Sequence, residues 1–352
     1  MNKPIIGITM GDPCGIGPEV TVRALTHESI YSRCRPLIVG SAAVCERASA
    51  LTKCGLTVHP VQNVSEARFE QGVIDVLDQP VALEAVPFGQ VTKAGGAAAY
   101  LAVEKVIALA MADQVDATVT GPLNKEAMNL AGYHYSGHTE IYAEKTGTRD
   151  YSMMLADGEL RVVHVSTHVP LRVACDRVKK DRELAVIRLA WQTCLDLGIE
   201  HPRVAVAGLN PHAGENGLFG QEEIEEIAPA VAQARAEGIH VEGPLPPDSA
   251  FSKANGGLYD IMVAQYHDQG HIPLKVLGFR MNRETHQWDS VTGVNITLGL
   301  PIIRSAVDHG TAFDQAGLGT ASEISMVNAL DYGIRLALVR NARKAGKKEE
   351  KP

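Results

Sequence analysis

Asp260-Ile-Met-Val-Ala-Gln-Tyr-His-Asp-Gln-Gly270 is the stretch that decides how the rest of the chain is read. Its apolar run is unbroken rather than alternating, the pattern of a strand buried on both faces of a largely parallel sheet. It ends on His267, an acid and a glycine turn. Two other stretches repeat the plan. Arg161-Val-Val-His-Val-Ser-Thr167 leads into His168, and Val204-Ala-Val-Ala-Gly-Leu209 leads into His212 within Asn210-Pro-His-Ala-Gly-Glu215. All three histidines thus follow the C-terminal ends of predicted strands, the edge at which open α/β sheets bind ligands. One such histidine is more often an ordinary satisfied polar residue. Three of them point to an open, catalytic-type metal site with room for substrate oxygens. Asp268 and Glu215 are sequence neighbours able to accept the second ring N–H of such ligands.

The same alternation extends in both directions. Pro4-Ile-Ile-Gly-Ile-Thr9, Arg35-Pro-Leu-Ile-Val39 and Asp116-Ala-Thr-Val-Thr120 read as strands. A helix is expected from about Pro18, another after Ser41, whose hydroxyl could cap it, and an Ala-rich one from Gly95 to Ala112. Leu184, Ile187, Trp191 and Leu195, and again Ile324, Val327, Leu330, Ile334 and Leu338, recur at amphipathic helical spacing. This βαβ rhythm predicts an α/β class. The charged tail Lys344–Pro352 is expected to fray.

Composition narrows the function. At 352 residues the chain can build two domains, and its net charge of −8 without a basic stripe argues against nucleic acid. An anionic substrate would need local cations. Six cysteines without CxxC or zinc-finger spacing, and a start that runs straight into a strand, fit a reduced cytoplasmic setting. No run reads as long enough to span a membrane.

Other motifs carry candidate chemistry. Gly11-Asp-Pro-Cys-Gly-Ile-Gly-Pro-Glu19 joins the first strand to a helix whose N-terminus could hold an anion, although it is not the GxGxxG dinucleotide fingerprint and also reads as a plain turn. Gly137-His-Thr-Glu140 offers His138 and Thr139 at a helix start, as an oxyanion contact or as an N-cap. Lys275, Asn295 and Arg304 could bind and orient a phosphate. Lone basic residues are usually solvated, but Arg304 sits inside Ile302-Ile-Arg-Ser-Ala-Val307, where an idle charge would be costly. Asp308-His-Gly-Thr-Ala-Phe-Asp314 is a polar loop that could wrap an adenosine ribose.

Together these residues resemble the 4-hydroxythreonine-4-phosphate dehydrogenase family from about Ile5 to Leu330. The resemblance is carried by Gly11–Glu19, Thr120-Gly-Pro-Leu-Asn-Lys125, Ser136–Glu140, Thr167-His-Val-Pro-Leu171, Gly208–Glu215, Gly243-Pro-Leu-Pro-Pro-Asp248, Tyr266–Gly270 and Gly293–Pro301 leading into Asp308–Thr311. It implies two α/β domains with a central cleft, as in isocitrate and isopropylmalate dehydrogenases. Residues 1–130 with 298–352 would form the terminal domain, and 131–297 an inserted domain with metal ligands and dimer contacts. It also implies NAD bound without a Rossmann fingerprint. Asp308, His309, Gly310 and Asp314 are the cofactor contacts.

By the same resemblance His168, His212 and His267 bind a divalent metal. Zinc is favoured by nitrogen ligands, with cobalt, manganese or magnesium as alternatives. His138, Thr139, Lys275, Asn295 and Arg304 bind substrate, and Asp248 and Lys275 are the catalytic candidates. The active site is shared within a homodimer, with one metal ligand from the partner. The segment Arg280–Ser290 lengthens the spacer before Asn295 relative to the vitamin B6 members. It looks more like the branch that oxidises 4-phospho-D-threonate or 4-phospho-D-erythronate, or it is a surface hairpin without catalytic meaning. The expected reaction is NAD-dependent oxidation with decarboxylation of a 4-phosphorylated 3-hydroxy acid. The rivals are 4-phosphooxy-L-threonine oxidation in pyridoxal phosphate biosynthesis, oxidation of a non-phosphorylated carboxylate such as a cis-dihydrodiol, a three-histidine zinc hydrolase, and a non-catalytic binder of a phosphorylated metabolite.

Overall fold

Unbroken apolar runs become buried strands in this chain, and amphipathic stretches become the helices that cover them. The computed structural model describes residues 3–281, 283–284 and 288–349. In chain order the strands are β1 (Ile5–Thr9), β2 (Arg35–Gly40), β3 (Thr57–Val61), β4 (Val73–Asp78), β5 (Ala117–Thr120), β6 (Ser152–Asp157), β7 (Leu160–His164), β8 (Val204–Ala207), β9 (Val241–Leu245), β10 (Ile261–Ala264), β11 (Phe279–Met281), β12 (Trp288–Val291), β13 (Val294–Leu298) and β14 (Arg304–Val307). Two units are seen. The first takes Met1–Arg149, Ser290–Val294 and Leu300–Pro352, and the second Asp150–Asp289 and Asn295–Gly299.

In the first unit the strand order is β3-β4-β2-β1-β5-β14, with every pairing parallel. Parallel neighbours need crossovers, and helices supply them. Helix Ala42–Thr52 carries the chain from β2 to β3, and Lys93–Met111 from β4 to β5. The latter packs Val103, Val106 and Ile107 into a core with Leu37, Val39 and Tyr142. By length and composition this 19-residue helix could cross a membrane, contrary to the sequence expectation. It reads that way because a helix buried in a protein core is as apolar as one in lipid.

Close approach explains its Gly95-Gly96 pair. A Cβ on Gly96 would lie 2.1 Å from the Ala127 carbonyl carbon and 2.4 Å from the Met128 nitrogen, so helix Lys125–Leu130 can seat only against a bare backbone.

The second unit orders its strands β13-β6-β7-β10-β8-β9. β10 runs parallel to both neighbours, with Ala264 opposite His164 and Val263 opposite Val206, while β6 and β7 form an antiparallel pair. Leu155, Val162, Ala205, Met262, Phe251 and Leu274 fill its core. β11 and β12, at the two ends of the Arg280–Ser290 segment, pair as a separate two-stranded sheet; residues 282 and 285–287 lie outside the described ones.

Three local expectations change. Ser41 stands at the N-cap of Ala42–Thr52, but its hydroxyl is buried without a partner among the described residues. Asp78 Oδ1 accepts the Ala42 amide instead, at 2.8 Å, because β4 brings a stronger acceptor to that helix end. The tail does not fray at Lys344. The last helix runs Ile324–Glu349, sustained by strong helix formers and by a 2.7 Å contact from Lys344 Nζ to Asp113. The division falls at Arg149 rather than near 130, because helix His138–Thr146 buries Tyr142 and Ile141 in the first unit's core.

One buried acid stands out. Glu183, on helix Lys180–Asp196, is fully buried, and burial pushes its carboxyl up to about 8 against a 3.4 Å bond donated by Gln265 Nε2.

Replacing Gly96 by Ala should destabilise the protein by about 1–3 kcal/mol, the usual range for overpacking, and a denaturation midpoint equal to the wild type's would contradict the packing. Glu183 binds its proton more tightly folded than unfolded. Its contribution to stability is therefore complete below its ordinary value of 4.5 and is lost as pH rises through about 8. Stability should fall over that interval, by at most about 1.4 kcal/mol per pH unit from this group. Denaturation curves of Glu183→Gln should show a shallower fall, and equal pH slopes in the two proteins would refute it.

Candidate functional site

The C-terminal edge of the second unit's sheet gathers the histidines. His168 follows β7 by four residues, and His267 opens helix His267–Gly278 directly after β10. The parallel register sets these ends side by side, and the rings of His168 and His267 lie 5.5 Å apart between centroids. They line a cavity of about 530 Å³ with Thr167, Val169, Pro170, Leu171, Ala174, Tyr266 and Asp268, a size that suits a small metabolite. His267 Nδ1 sits 2.7 Å from Asp268 Oδ1. That contact fixes Nε2 as the outward nitrogen, the arrangement of a carboxylate-supported metal ligand.

Two further histidines, which the sequence reading passed over, stand behind this pair. His271 stacks on His267 at 3.6 Å and shares a 2.9 Å hydrogen bond with the His267 carbonyl. His164, at the end of β7, lies 4.7 Å from the His271 ring, and its buried Nε2 has no partner among the described residues. Burial, followed by neighbouring imidazole charge, pushes His164 down to about 3 and His271 to about 4, so both rings are neutral at pH 7. His271 was legible as the helical i+4 neighbour of His267. His164 was hidden inside an apolar strand.

His212 is presented differently. It follows β8 by five residues, is exposed, and is absent from the cavity lining. His212, Ala213, Gly214, Glu215 and Asn216 all have left-handed backbone, with φ of 55°, 56°, 79°, 43° and 55°. Such conformation costs an L residue roughly 1–2 kcal/mol, and persists where surrounding structure over-determines it. Among the described residues no group of three or more His, Cys, Asp or Glu side chains is arranged to hold a metal ion. Within one chain, then, the structure brings His168 and His267 together, while His212 is neither in the cavity lining nor part of a three-ligand group among the described residues. Asp248 lies exposed in the first turn of helix Pro247–Asn255. Lys275 Nζ sits 4.1 Å from the Phe279 ring centroid, and Asn295 Nδ2 donates to Met153 Sδ at 2.9 Å.

The first unit holds the other candidates. Arg304 opens β14 and is 4% exposed. Its Nη2 donates to Thr120 Oγ1 at 3.2 Å, and its guanidinium lies 5.5 Å from the Tyr142 ring centroid. Burial pushes it down to about 10 while Tyr142 and Glu140 hold it up, so the cation survives at neutral pH. His138 is the first residue of helix His138–Thr146, with Nε2 buried and without a partner among the described residues. Burial and then the charge of Arg304 push it well below the usual histidine value. A neutral imidazole beside a retained cation suits a ligand oxyanion. Thr139 is the second residue of that helix. The cap position is Gly137, which leaves the Thr139 N-cap reading without support.

Asp308–Asp314 follows β14. The Asp308 amide is bonded to Ser325 Oγ at 3.3 Å, and His309 Nδ1 pairs with the Gly310 carbonyl at 2.9 Å. Nothing lies within 4 Å of the position a Cβ would take on Gly310, which leaves that backbone open to a ligand. The loop Gly11–Glu19 packs beneath. Its Ile16 amide bonds the Thr311 carbonyl at 3.0 Å, and Glu19 accepts the amides of Gly317 and Gly319 at 2.7 and 3.0 Å. Its role seen here is to support its neighbours. Asp12 in the same loop is buried, and burial pushes its carboxyl up to about 6.

Residues 32–333 match the family model described as pyridoxal phosphate biosynthetic protein PdxA. The chain belongs to the PdxA family. Within that family it is 48% identical over 338 residues to the D-threonate 4-phosphate dehydrogenase of Cupriavidus necator, an alignment covering 96% of this chain and 98% of that one. A 4-hydroxythreonine-4-phosphate dehydrogenase from Burkholderia phymatum superposes with a TM-score of 0.82 at 45% identity, covering 96% and 99% of the two chains. One from Klebsiella pneumoniae does so with a TM-score of 0.84 at 43% identity, covering 95% and 98%. This PdxA-family chain is a dehydrogenase, an enzyme that acts on a CH–OH group.

Proposed function

We propose that this enzyme catalyses the NAD-dependent, divalent-metal-assisted oxidation and decarboxylation of a 4-phosphorylated 3-hydroxy acid, namely 4-phospho-D-threonate or 4-phospho-D-erythronate. The carrying observation is the near full-length similarity to a relative named D-threonate 4-phosphate dehydrogenase. The solved relatives named 4-hydroxythreonine-4-phosphate dehydrogenases favour a second reading, with 4-phosphooxy-L-threonine as substrate.

In this reading His168, His212 and His267 hold the cation, one of them contributed by a second copy of the chain. The adjacent His168 and His267 rings, the Asp268 support and the all-imidazole donor set suit zinc. That no three such ligands gather among the described residues of one chain, and that Leu171, Leu218, Phe219, Ile272 and Val276 of the second unit are exposed, support a homodimer. Asp308, His309, Gly310 and Asp314 would receive NAD along the open backbone of their loop. When bound, NAD supplies the hydride acceptor and the cation supplies Lewis acidity at the reacting oxygens.

The chain's own residues bind and orient the substrate. Arg304 and Lys275 neutralise its anionic ends. His138 Nε2, Thr139 and Asn295 supply directional contacts. Asp248 is the group proposed to take the hydroxyl proton, with Lys275, the other catalytic candidate, acting as the cation beside the substrate. Oxidation removes a hydride from carbon and that proton from oxygen. The resulting 3-keto acid then loses CO2 as the electron pair of the carbon–carboxylate bond moves toward the carbonyl, and the enolate so formed takes up a proton at carbon.

Metal-stripped enzyme with NAD and a panel of 4-phosphorylated four-carbon acids should form NADH only after a divalent cation is restored, fastest with a D-threonate or D-erythronate phosphate. Fastest turnover of 4-phosphooxy-L-threonine would select the second reading. Phosphate release without NADH would mean a hydrolase. His168→Ala and His267→Ala should each lose metal and turnover while remaining folded. Arg304→Met should weaken substrate binding by about 10- to 100-fold, with NAD affinity unchanged; a fall in NAD affinity instead would remove Arg304 from the substrate side.

A further inference from the structure

We propose that Glu223 is a positioning residue that holds the left-handed turn presenting His212. The proposal rests on the reading of His212 as a metal ligand and names what keeps that ligand in place. Five consecutive left-handed residues, four of them not glycine, need an external tie. Glu223 supplies it. Its side chain is buried, with 3% exposure. Its Oε1 accepts the Asn210 amide at 2.7 Å, and its Oε2 accepts Asn210 Nδ2 at 3.0 Å. Glu222 Oε2 takes the same Nδ2 at 2.7 Å. Asn210 is the last residue before the turn, so both bonds grip its entrance.

The carboxylate also fills the space inside the turn. A Cβ on Gly208 would lie 3.1 Å from Glu223 Oε1, and one on Gly214 would lie 2.7 Å from Oε2. The two bare glycines admit it, one before His212 and one after. Glu223 itself opens the π-helical turn Glu223–Ile227, a wide-wound geometry often found at functional sites. The same entrance is tied to the helix that His267 opens, where Gln269 Nε2 donates to the Gly208 carbonyl at 2.8 Å. Glu223 thus acts through His212 and touches no reacting atom.

The test measures zinc affinity of the metal-stripped full-length protein by competition with a chelating dye. Wild type, Glu223→Ala, Glu223→Gln, His212→Ala and the double variant Glu223→Ala/His212→Ala are compared, each with its unfolding temperature. Glu223→Ala should weaken zinc binding by about 10- to 100-fold, as loss of a ligand's supporting partner does, while the protein remains folded at the assay temperature. It should add nothing further in the His212→Ala background, because the two residues act as one unit. Amide hydrogen exchange across residues 210–219 should rise in the same variant. Wild-type zinc affinity in Glu223→Ala, with His212→Ala impaired, overturns the proposal and leaves the ligand reading standing. Wild-type affinity in His212→Ala overturns the ligand reading, and the role of Glu223 with it. If Glu223→Ala does not fold, Glu223→Gln carries the comparison. It keeps an oxygen for the Asn210 amide but sets an NH2 group against Asn210 Nδ2. A smaller loss in the same direction is expected, and an unchanged affinity contradicts the proposal.

Discussion

The parallel register of β7, β10 and β8 is the constraint on which the second unit depends. Ala264 lies opposite His164, Val263 lies opposite Val206, and the Val165 amide continues the ladder to the Ala264 carbonyl at 2.8 Å. Because the strands are parallel, all three end at one edge, and the loops that follow carry His168, His267 and His212. A slip of one residue would move a strand's end, and the histidine that follows it, by about 3.3 Å along the strand and turn its side chains to the opposite face of the sheet. Chemistry placed on these loops inherits the rigidity of the strands beneath them.

That edge is expensive to build. It keeps a neutral His164 in the interior, an acid at Glu183 whose pKa is pushed up to about 8, and a left-handed turn at His212. The first unit accepts a similar cost at Arg304, a nearly buried cation steadied by Thr120, Tyr142 and Glu140. An uncompensated buried charge is strongly destabilising, so its partners matter as much as the cation does. Natural chains concentrate such departures at functional sites. Each unit carries its own.

The alternation of strands and helices was legible because strands buried on both faces must be continuously apolar, as Ile261–Ala264 and Val204–Ala207 are. The sheet edge at which the histidines stand was legible for the same reason, since a polar residue directly after such a run has to sit at a strand end. Features set by contacts distant in sequence were not. Asp78 displaces Ser41 as the cap of its helix, and nothing local to Ser41 announces that. The helix Lys93–Met111 is apolar because it is core, a distinction that composition does not make. Helix formers near Lys344 outweighed the charge that suggested fraying. The left-handed run at His212 includes Ala213 and Glu215, residues whose own preferences oppose it, and its cause lies eleven residues away in Glu223. His164 looked like part of a strand because it is one.

The central claim is that His168, His212 and His267 together bind a single divalent cation, with a second copy of the chain completing the set. Diffraction from crystals of the zinc-loaded protein, recorded across the zinc absorption edge, tests this most directly. The account predicts one strong anomalous peak per chain, within bonding distance of those three imidazoles and with at least one of them from a neighbouring copy in a symmetric dimer. A peak placed instead at His164 and His271, or a site completed without His212, would contradict it.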